Sequence, residues 1–291
     1  MGEQGGLIME AAVRQRRSAL YLPASNARAI AKARTLDCDV VILDLEDAVA
    51  PDAKAVAREQ AVAAVREGGF GARELVVRVN AIGSEWGAAD LAALAGTPAD
   101  AVLVPKVYSG RDVAAYAQAI GGVPVWAMIE TPRAVLRLED IASSAGLAAL
   151  VIGTNDLAKD MRATPGADRL PLHGMLANTV AAARAFGLAV LDGVHNAIED
   201  REGFAAECAQ GARFGFDGKT LIHPSQIDLC NTAFSPDADD LAWAERVVAA
   251  FDQPDNAGKG VIRLDGDMVE RLHLDSARRT LAIAAAVGKR R

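Results

Sequence analysis

Cysteine, aromatic side chains and surplus positive charge are all scarce in this 291-residue chain, and each scarcity closes off a class of function. The three cysteines, Cys38, Cys208 and Cys230, form no CxxC pair and have no His at ligand spacing, and an odd count argues against a disulfide framework. They read as buried free thiols in a reducing compartment, the cytoplasm. Basic residues number 31 against 38 acidic, a formal charge of −7, so bulk attraction to nucleic acid is not expected. A small anionic substrate can still be held by local arginines. No apolar run reaches the length of a membrane span, so no membrane partner is expected either. The opening MGEQGGLIMEAAVRQR has no secretory apolar core and carries acids early, which reads as a loose leader over residues 1–15. Two catalytic signatures are missing as well: there is no GxSxG elbow, and no GxGxxG follows the first strand-like run. His195 and His223 stand alone, so no histidine triad is expected.

What is abundant is Ala, Val and Leu. Hydrophobic residues make up 51% with aromatics at only 4%, a profile that favours many helices packed on a Val/Ile-rich parallel sheet. Strand-like apolar runs fall at 18–22, 39–43, 74–79, 101–104, 124–129, 148–152, 189–191 and 215–221. Helical stretches such as NARAIAKARTL and DAKAVAREQAVAAV lie between most of them. Eight strands alternating with helices predict an α/β fold, a (β/α)₈ TIM barrel over residues 16–235. A doubly wound open sheet is the competitor, and it lacks its dinucleotide-binding glycines here. A helix near 239–251, the polar break DQPDNAGKG, and a last segment with a short extended piece, a DG turn and one helix form an extension over 236–291. Such an appendage is expected to pack on a neighbouring subunit.

In a barrel of this kind, polar residues at the carboxyl ends of strands read as site residues. The stretch 125–160 carries two short apolar runs, VWAMIET and LAALVIGTNDLA, each delivering a carboxylate: Glu130 and Asp156. If the strand–helix–strand unit is parallel and right-handed, the two carboxylates become neighbours, and with glycine and hydroxyl groups nearby they suit a hard divalent cation. The alternative is a structural one, with Asp156 capping LAKDM and Glu130 paired to Arg133. The second strand releases Asp44, Glu46 and Asp47 within VVILDLEDAV. Burying so many carboxylates is costly unless they are paired or working, although an acidic first turn before the next helix would also account for Asp47. Arg78 sits inside the apolar strand ELVVRVN, where a guanidinium needs an anion, either one of those acids or a substrate carboxylate. Lys106 ends the fourth strand as a second cation. Arg17 reads either as an anion ligand or as part of a solvated basic cluster.

Taken together in order and spacing, RRSALYLP, VVILDLEDAV, VVRVN, VPK, AMIET, IGTNDLA, LDGV and FDGKTLIHPSQ resemble the citrate lyase beta-subunit-like CoA-ester lyases of the wider HpcH/HpaI aldolase group. The resemblance spans roughly residues 16–280. It implies a trimeric or hexameric (β/α)₈ barrel that uses Mg²⁺, or Mn²⁺ in its place, on a CoA thioester. By motif position, Glu130 and Asp156 match the metal ligands, and Arg78 the arginine that binds and polarises the keto acid. Glu46 and Asp47 match the acidic pair that orients the site, and the backbone of Gly153, Thr154 and Asn155 the substrate carboxylate site. Arg17, Lys219 and His223 are expected along the CoA arm. The implied reaction is reversible Claisen-type cleavage of a 3-hydroxyacyl-CoA such as malyl-, citramalyl- or citryl-CoA, giving a keto acid plus acetyl- or propionyl-CoA. The alternatives are an aldolase acting on a free hydroxy-keto acid and a weakly catalytic CoA-ester-binding subunit. One departure stands out. Family members commonly place an Asp in the C-terminal extension as an acid/base acting across the subunit boundary, and here Glu270 occupies that place, with Leu272 where a proline is usual.

Overall fold

The computed structural model describes residues 14–288, so the leader expected over residues 1–15 lies almost wholly outside the described residues. Arg16–Phe234 forms one compact unit and Ser235 onward belongs to a second.

The first unit is a closed barrel of eight parallel strands in chain order. They are β1 (Ser18–Pro23), β2 (Val40–Asp44), β3 (Glu74–Arg78), β4 (Ala101–Val104), β5 (Val125–Ile129), β6 (Leu147–Ile152), β7 (Ala189–Asp192) and β8 (Gly218–Leu221). β8 closes on β1 with Ser18 opposite Lys219 and Leu20 opposite Leu221. The last strand starts at Gly218 rather than at 215, because the helix Arg201–Phe214 runs up to that point. Gly215 ends the helix in the left-handed conformation at φ 94°. The helical stretch between β5 and β6 is divided into Pro132–Val135 and Leu138–Ala142.

Strand alternation sorts the side chains into two apolar layers. Val40, Ile42, Val76, Leu103, Trp126, Met128 and Val151 pack inside the barrel. Val41, Leu43, Val77, Val102, Val104, Val190 and Leu221 pack outward under the helices. Each of the fully buried aliphatic side chains contributes about 1.5–3 kcal/mol relative to exposure, so inside-or-outside parity is strongly enforced. Following the inner parity up each strand leads from Ile42 to Asp44, from Val76 to Arg78, from Met128 to Glu130 and from Val151 to Gly153. The same alternation that fills the interior with hydrocarbon therefore delivers charge to its carboxyl end.

The second unit contains the helix Ala238–Phe251, a hairpin of β9 (Val261–Leu264) and β10 (Asp267–Glu270), and the helix Arg271–Gly288. Where the sequence suggested one extended piece, there are two strands. Asp265 and Gly266 both take positive φ, 53° and 98°, which is the turn that matches strand twist in a two-residue hairpin. Val247, Phe251, Ile262, Val269 and Leu274 make this unit's own core. Among the described residues, no helix is long and apolar enough to cross a membrane.

Candidate active site

A cavity of about 310 Å³ opens at the carboxyl end of the barrel, walled by Tyr21, Asp44, Asp47, Arg78, Glu130 and the Gly153–Asp156 segment. Glu130, buried at 3% exposure, leaves β5 and accepts the backbone N–H of Lys106 on Oε1 at 2.7 Å. The Lys106 ammonium lies 3.4 Å from the same oxygen and is also ion-paired with Asp156. Asp156 sits in the first turn of the helix Thr154–Met161, which starts from Gly153 and carries no side-chain cap. Asp156 is thus turned to a cation shared with Glu130, and the capping alternative is not what the geometry presents. A Cβ on Gly153 would stand 2.5 Å from Glu130 Cβ, so only glycine lets the two strand ends approach this closely.

The donor set suits a hard cation. Two carboxylates converge on one positive charge, and Mg²⁺ or Mn²⁺ is commonly held by one or two carboxylates with substrate and water completing the shell. Among the described residues there is no cluster of three or more His, Cys, Asp or Glu that could cage a metal by themselves. Glu130 and Asp156 would hold the ion through two oxygen donors and leave the rest of its shell open to substrate.

Across the cavity Arg78 is clamped by the acids of the β2 loop. Asp44 accepts from Nε and Nη2 at 2.7 Å each, Glu46 lies 3.0 Å from Nη1, and Asp47 lies 3.6 Å from it. Asp44 also accepts the N–H groups of Glu46 and Ala48, which folds the loop back over the guanidinium. The Tyr21 ring stacks beneath Arg78 at 4.8 Å. Burial pushes the Glu46 carboxyl up to about 8, and the charges of Asp47, Glu130 and Asp44 add to it. The charge of Arg78 pulls it down but is outweighed by burial. Burial opposes the Arg78 charge, yet Tyr21, Asp44 and Glu46 hold its pKa well above the usual value, so it remains a fixed cation.

With this geometry in hand, likeness to known proteins is decisive for the family. The HpcH/HpaI aldolase/citrate lyase family model matches residues 17–224. The chain belongs to that family. It is 47% identical to the (3S)-malyl-CoA thioesterase of Cereibacter sphaeroides, over 93% of this chain and 95% of that protein. It is 32% identical to the citrate lyase subunit beta of Escherichia coli, over 97% and 98%. The crystal structure of the CitE protein of Mycobacterium tuberculosis in complex with magnesium, acetoacetate and coenzyme A superposes with a TM-score of 0.78 at 35% identity, covering 92% of this chain and 97% of that one. Membership in the HpcH/HpaI aldolase/citrate lyase family places the chain among the carbon–carbon lyase enzymes.

The barrel brings Glu46, Asp47, Arg78, Glu130, Gly153, Thr154, Asn155 and Asp156 to one end, and all but Glu46 line the cavity itself. Two expectations are corrected. Arg17 precedes β1 and so lies at the amino end of the strands. There it is buried, with Nε and Nη2 bonded to Asp39 at 2.8 and 2.9 Å, and it cannot reach a CoA arm at the other end. Lys219 has the outward parity of Leu221 and is fully buried beneath the helices. It donates to Asp192 at 3.1 Å and Glu207 at 2.5 Å in a network that continues to Arg169 and His195. His223 is exposed in the loop after β8, next to the cavity residue Ile222, with Nδ1 accepting the N–H of Ser225. Glu270 ends β10 in the second unit, half-buried, its N–H donating to His273 Nδ1 at 2.9 Å.

Sequence reasoning undervalued three residues. Asp44 is the bidentate partner of Arg78, Tyr21 is the floor beneath it, and Asn196 holds Asn155 by reciprocal amide bonds of 2.8 and 3.2 Å. The inner parity of β1 and β2 was the signal for the first two. Nothing local in LDGVHNA marks Asn196, because its partner lies on a different strand's loop.

Proposed function

We propose that the chain carries out Mg²⁺-dependent, reversible carbon–carbon cleavage of a malyl-CoA-type 3-hydroxyacyl-CoA. The reading is carried by one observation: the Glu130–Asp156 pair and the clamped Arg78 face a single cavity at the carboxyl end of the barrel. When bound there, Mg²⁺ supplies Lewis-acid polarisation of the substrate's oxygens. Arg78 Nη1, fixed by Asp44, donates to the 3-oxygen as negative charge grows on it. Asp47, exposed on the cavity wall, is the carboxylate placed to take the 3-hydroxyl proton. As the C2–C3 bond breaks, its electron pair passes to the thioester as an enolate and a keto acid is released. The enolate carbon then takes a proton, the role assigned to Glu270 of a neighbouring subunit's C-terminal unit. His223 is retained as a contact for the CoA arm.

A second reading, hydrolysis of the same ester to malate and CoA, is favoured by the 47% identity to a protein named (3S)-malyl-CoA thioesterase. The longer Glu270 side chain works in the same direction, because displacing an acid/base by about an ångström costs cleavage ~10²-fold. One assay separates the two. Incubated with (3S)-malyl-CoA and Mg²⁺, the lyase yields glyoxylate and acetyl-CoA, whereas the thioesterase yields malate and free CoA. Asp156→Asn is expected to abolish either reaction. Turnover that persists in Asp156→Asn, or an inert wild type that is folded and metal-loaded, would sink the enzymatic assignment of this cavity.

A further inference from the structure

We propose that Lys106 is the resident counter-cation of the carboxylate pair: its ammonium and a divalent cation are alternatives for the same oxygens, so Lys106 sets the affinity of the site for metal. The inference rests on the reading of Glu130 and Asp156 as the metal ligands and goes beyond it.

Lys106 leaves β4 directly after Pro105 and takes φ 52°, the left-handed region that a residue with a Cβ seldom enters. That backbone turn does two things at once. It aims the Lys106 N–H at Glu130 Oε1, at 2.7 Å, and it brings the side chain round so that Nζ lies 3.4 Å from the same oxygen and pairs with Asp156. The residue therefore grips Glu130 from both ends, and only the ammonium end reaches across to Asp156. Two carboxylates facing each other in a half-closed pocket repel, and a cation between them removes that repulsion. The ammonium takes Glu130 Oε1 and one oxygen of Asp156, and its charge repels a dication drawn to the same pair, so each weakens the hold of the other. Lys106 also has somewhere to go. Its side chain is 35% exposed and the side chain of Asp156 33%, whereas the side chain of Glu130 is only 5% exposed. Displacement moves the ammonium toward solvent and leaves the N–H bond to Glu130 in place.

The effect on affinity follows from occupancy. If the ammonium holds the pair about nine-tenths of the time, the apparent metal Kd is about tenfold weaker than the intrinsic one. Mg²⁺ binding is measured by isothermal titration calorimetry, without substrate, on the wild type, Lys106→Met, Lys106→Gly, Lys106→Arg and Asp156→Asn. Lys106→Gly is at ease at φ 52° and keeps the backbone N–H, so it guards against a folding failure in Lys106→Met. Removing the ammonium by either change is expected to tighten the Mg²⁺ Kd tenfold or more. Lys106→Arg, still cationic, is expected to stay near the wild type, and Asp156→Asn to lose binding. A Kd in both neutral variants equal to or weaker than the wild type's, with binding lost in Asp156→Asn, overturns the role of Lys106 and leaves the metal pair standing. Absence of Mg²⁺ binding in the wild type and both neutral variants overturns the metal pair and this inference together.

Discussion

Glu46 stands 3.0 Å from a guanidinium and yet resists ionisation, because burial and three neighbouring carboxylates outweigh one shared cation. Its pKa of about 8, against an ordinary 4.5, fixes the sign of a stability effect. Between those two values the folded chain keeps a proton that the unfolded chain has released. The stability contributed by this group is therefore full below about pH 4.5 and is lost as pH rises through about 8. Glu46→Gln cannot ionise and keeps the shape. Compared in EDTA by urea unfolding, the variant is expected to match the wild type near pH 5 and to exceed it progressively up to pH 8–9, by up to a few kcal/mol. A constant difference across that range would show that Glu46 ionises normally. The run LDLED shows three acids leaving an apolar strand, and their gathering at the site was legible from that. Which of them holds Arg78 was not, because the choice of Asp44 depends on the register that sets Asp44 opposite Arg78 in neighbouring strands.

At the scale of elements, the barrel was legible because each strand is a short apolar run bounded by turn residues and followed by helical spacing. The corrections fall where parity or strand end matters more than composition. Arg17 and Lys219 are both basic; the first precedes β1 and the second lies within β8, and both strands contribute to the site. One is at the wrong end and the other on the outer face, buried against Asp39 and Asp192 respectively. A sequence shows the charge, whereas its end and face follow from the pairing of β8 with β1. Gly153 shows the reverse, a residue without functional atoms whose absence of a Cβ the site requires. Gly153→Ala places a methyl 2.5 Å from Glu130 Cβ and 3.2 Å from Met128 Cε. The strand end must give, at a cost of about 1–3 kcal/mol, and Glu130 shifts with it. Mg²⁺ affinity is expected to fall by about 10–100-fold, the usual loss when a ligand's support is disturbed, while the circular dichroism spectrum stays that of a folded barrel. Affinity unchanged from the wild type would mean that Glu130 is not held by this contact.

At the scale of the whole molecule, the proposed reaction needs a proton donor for the enolate, and the candidate, Glu270, sits on a separately packed unit with its own core. Every polar group credited to the cavity wall comes from the barrel unit, so the role proposed for Glu270 is also a proposal about assembly, in which the C-terminal unit of one subunit would complete the site of its neighbour. In a closed ring each subunit gives one tail and receives one. Asp156→Asn has a dead barrel site and a working tail, and Glu270→Gln has a working barrel site and a dead tail. Each alone is expected to be inactive in the malyl-CoA assay. Co-refolded in equal amounts, a site is active when a Glu270→Gln barrel meets an Asp156→Asn tail. Random pairing makes that half of the barrels times half of the tails, so about a quarter of wild-type activity returns. If Glu270 served its own barrel, no mixture would recover activity, since every barrel would carry one defect of its own. Recovery near a quarter therefore assigns the neighbour's contribution whatever the number of subunits, and its absence shows that no tail serves another subunit's barrel.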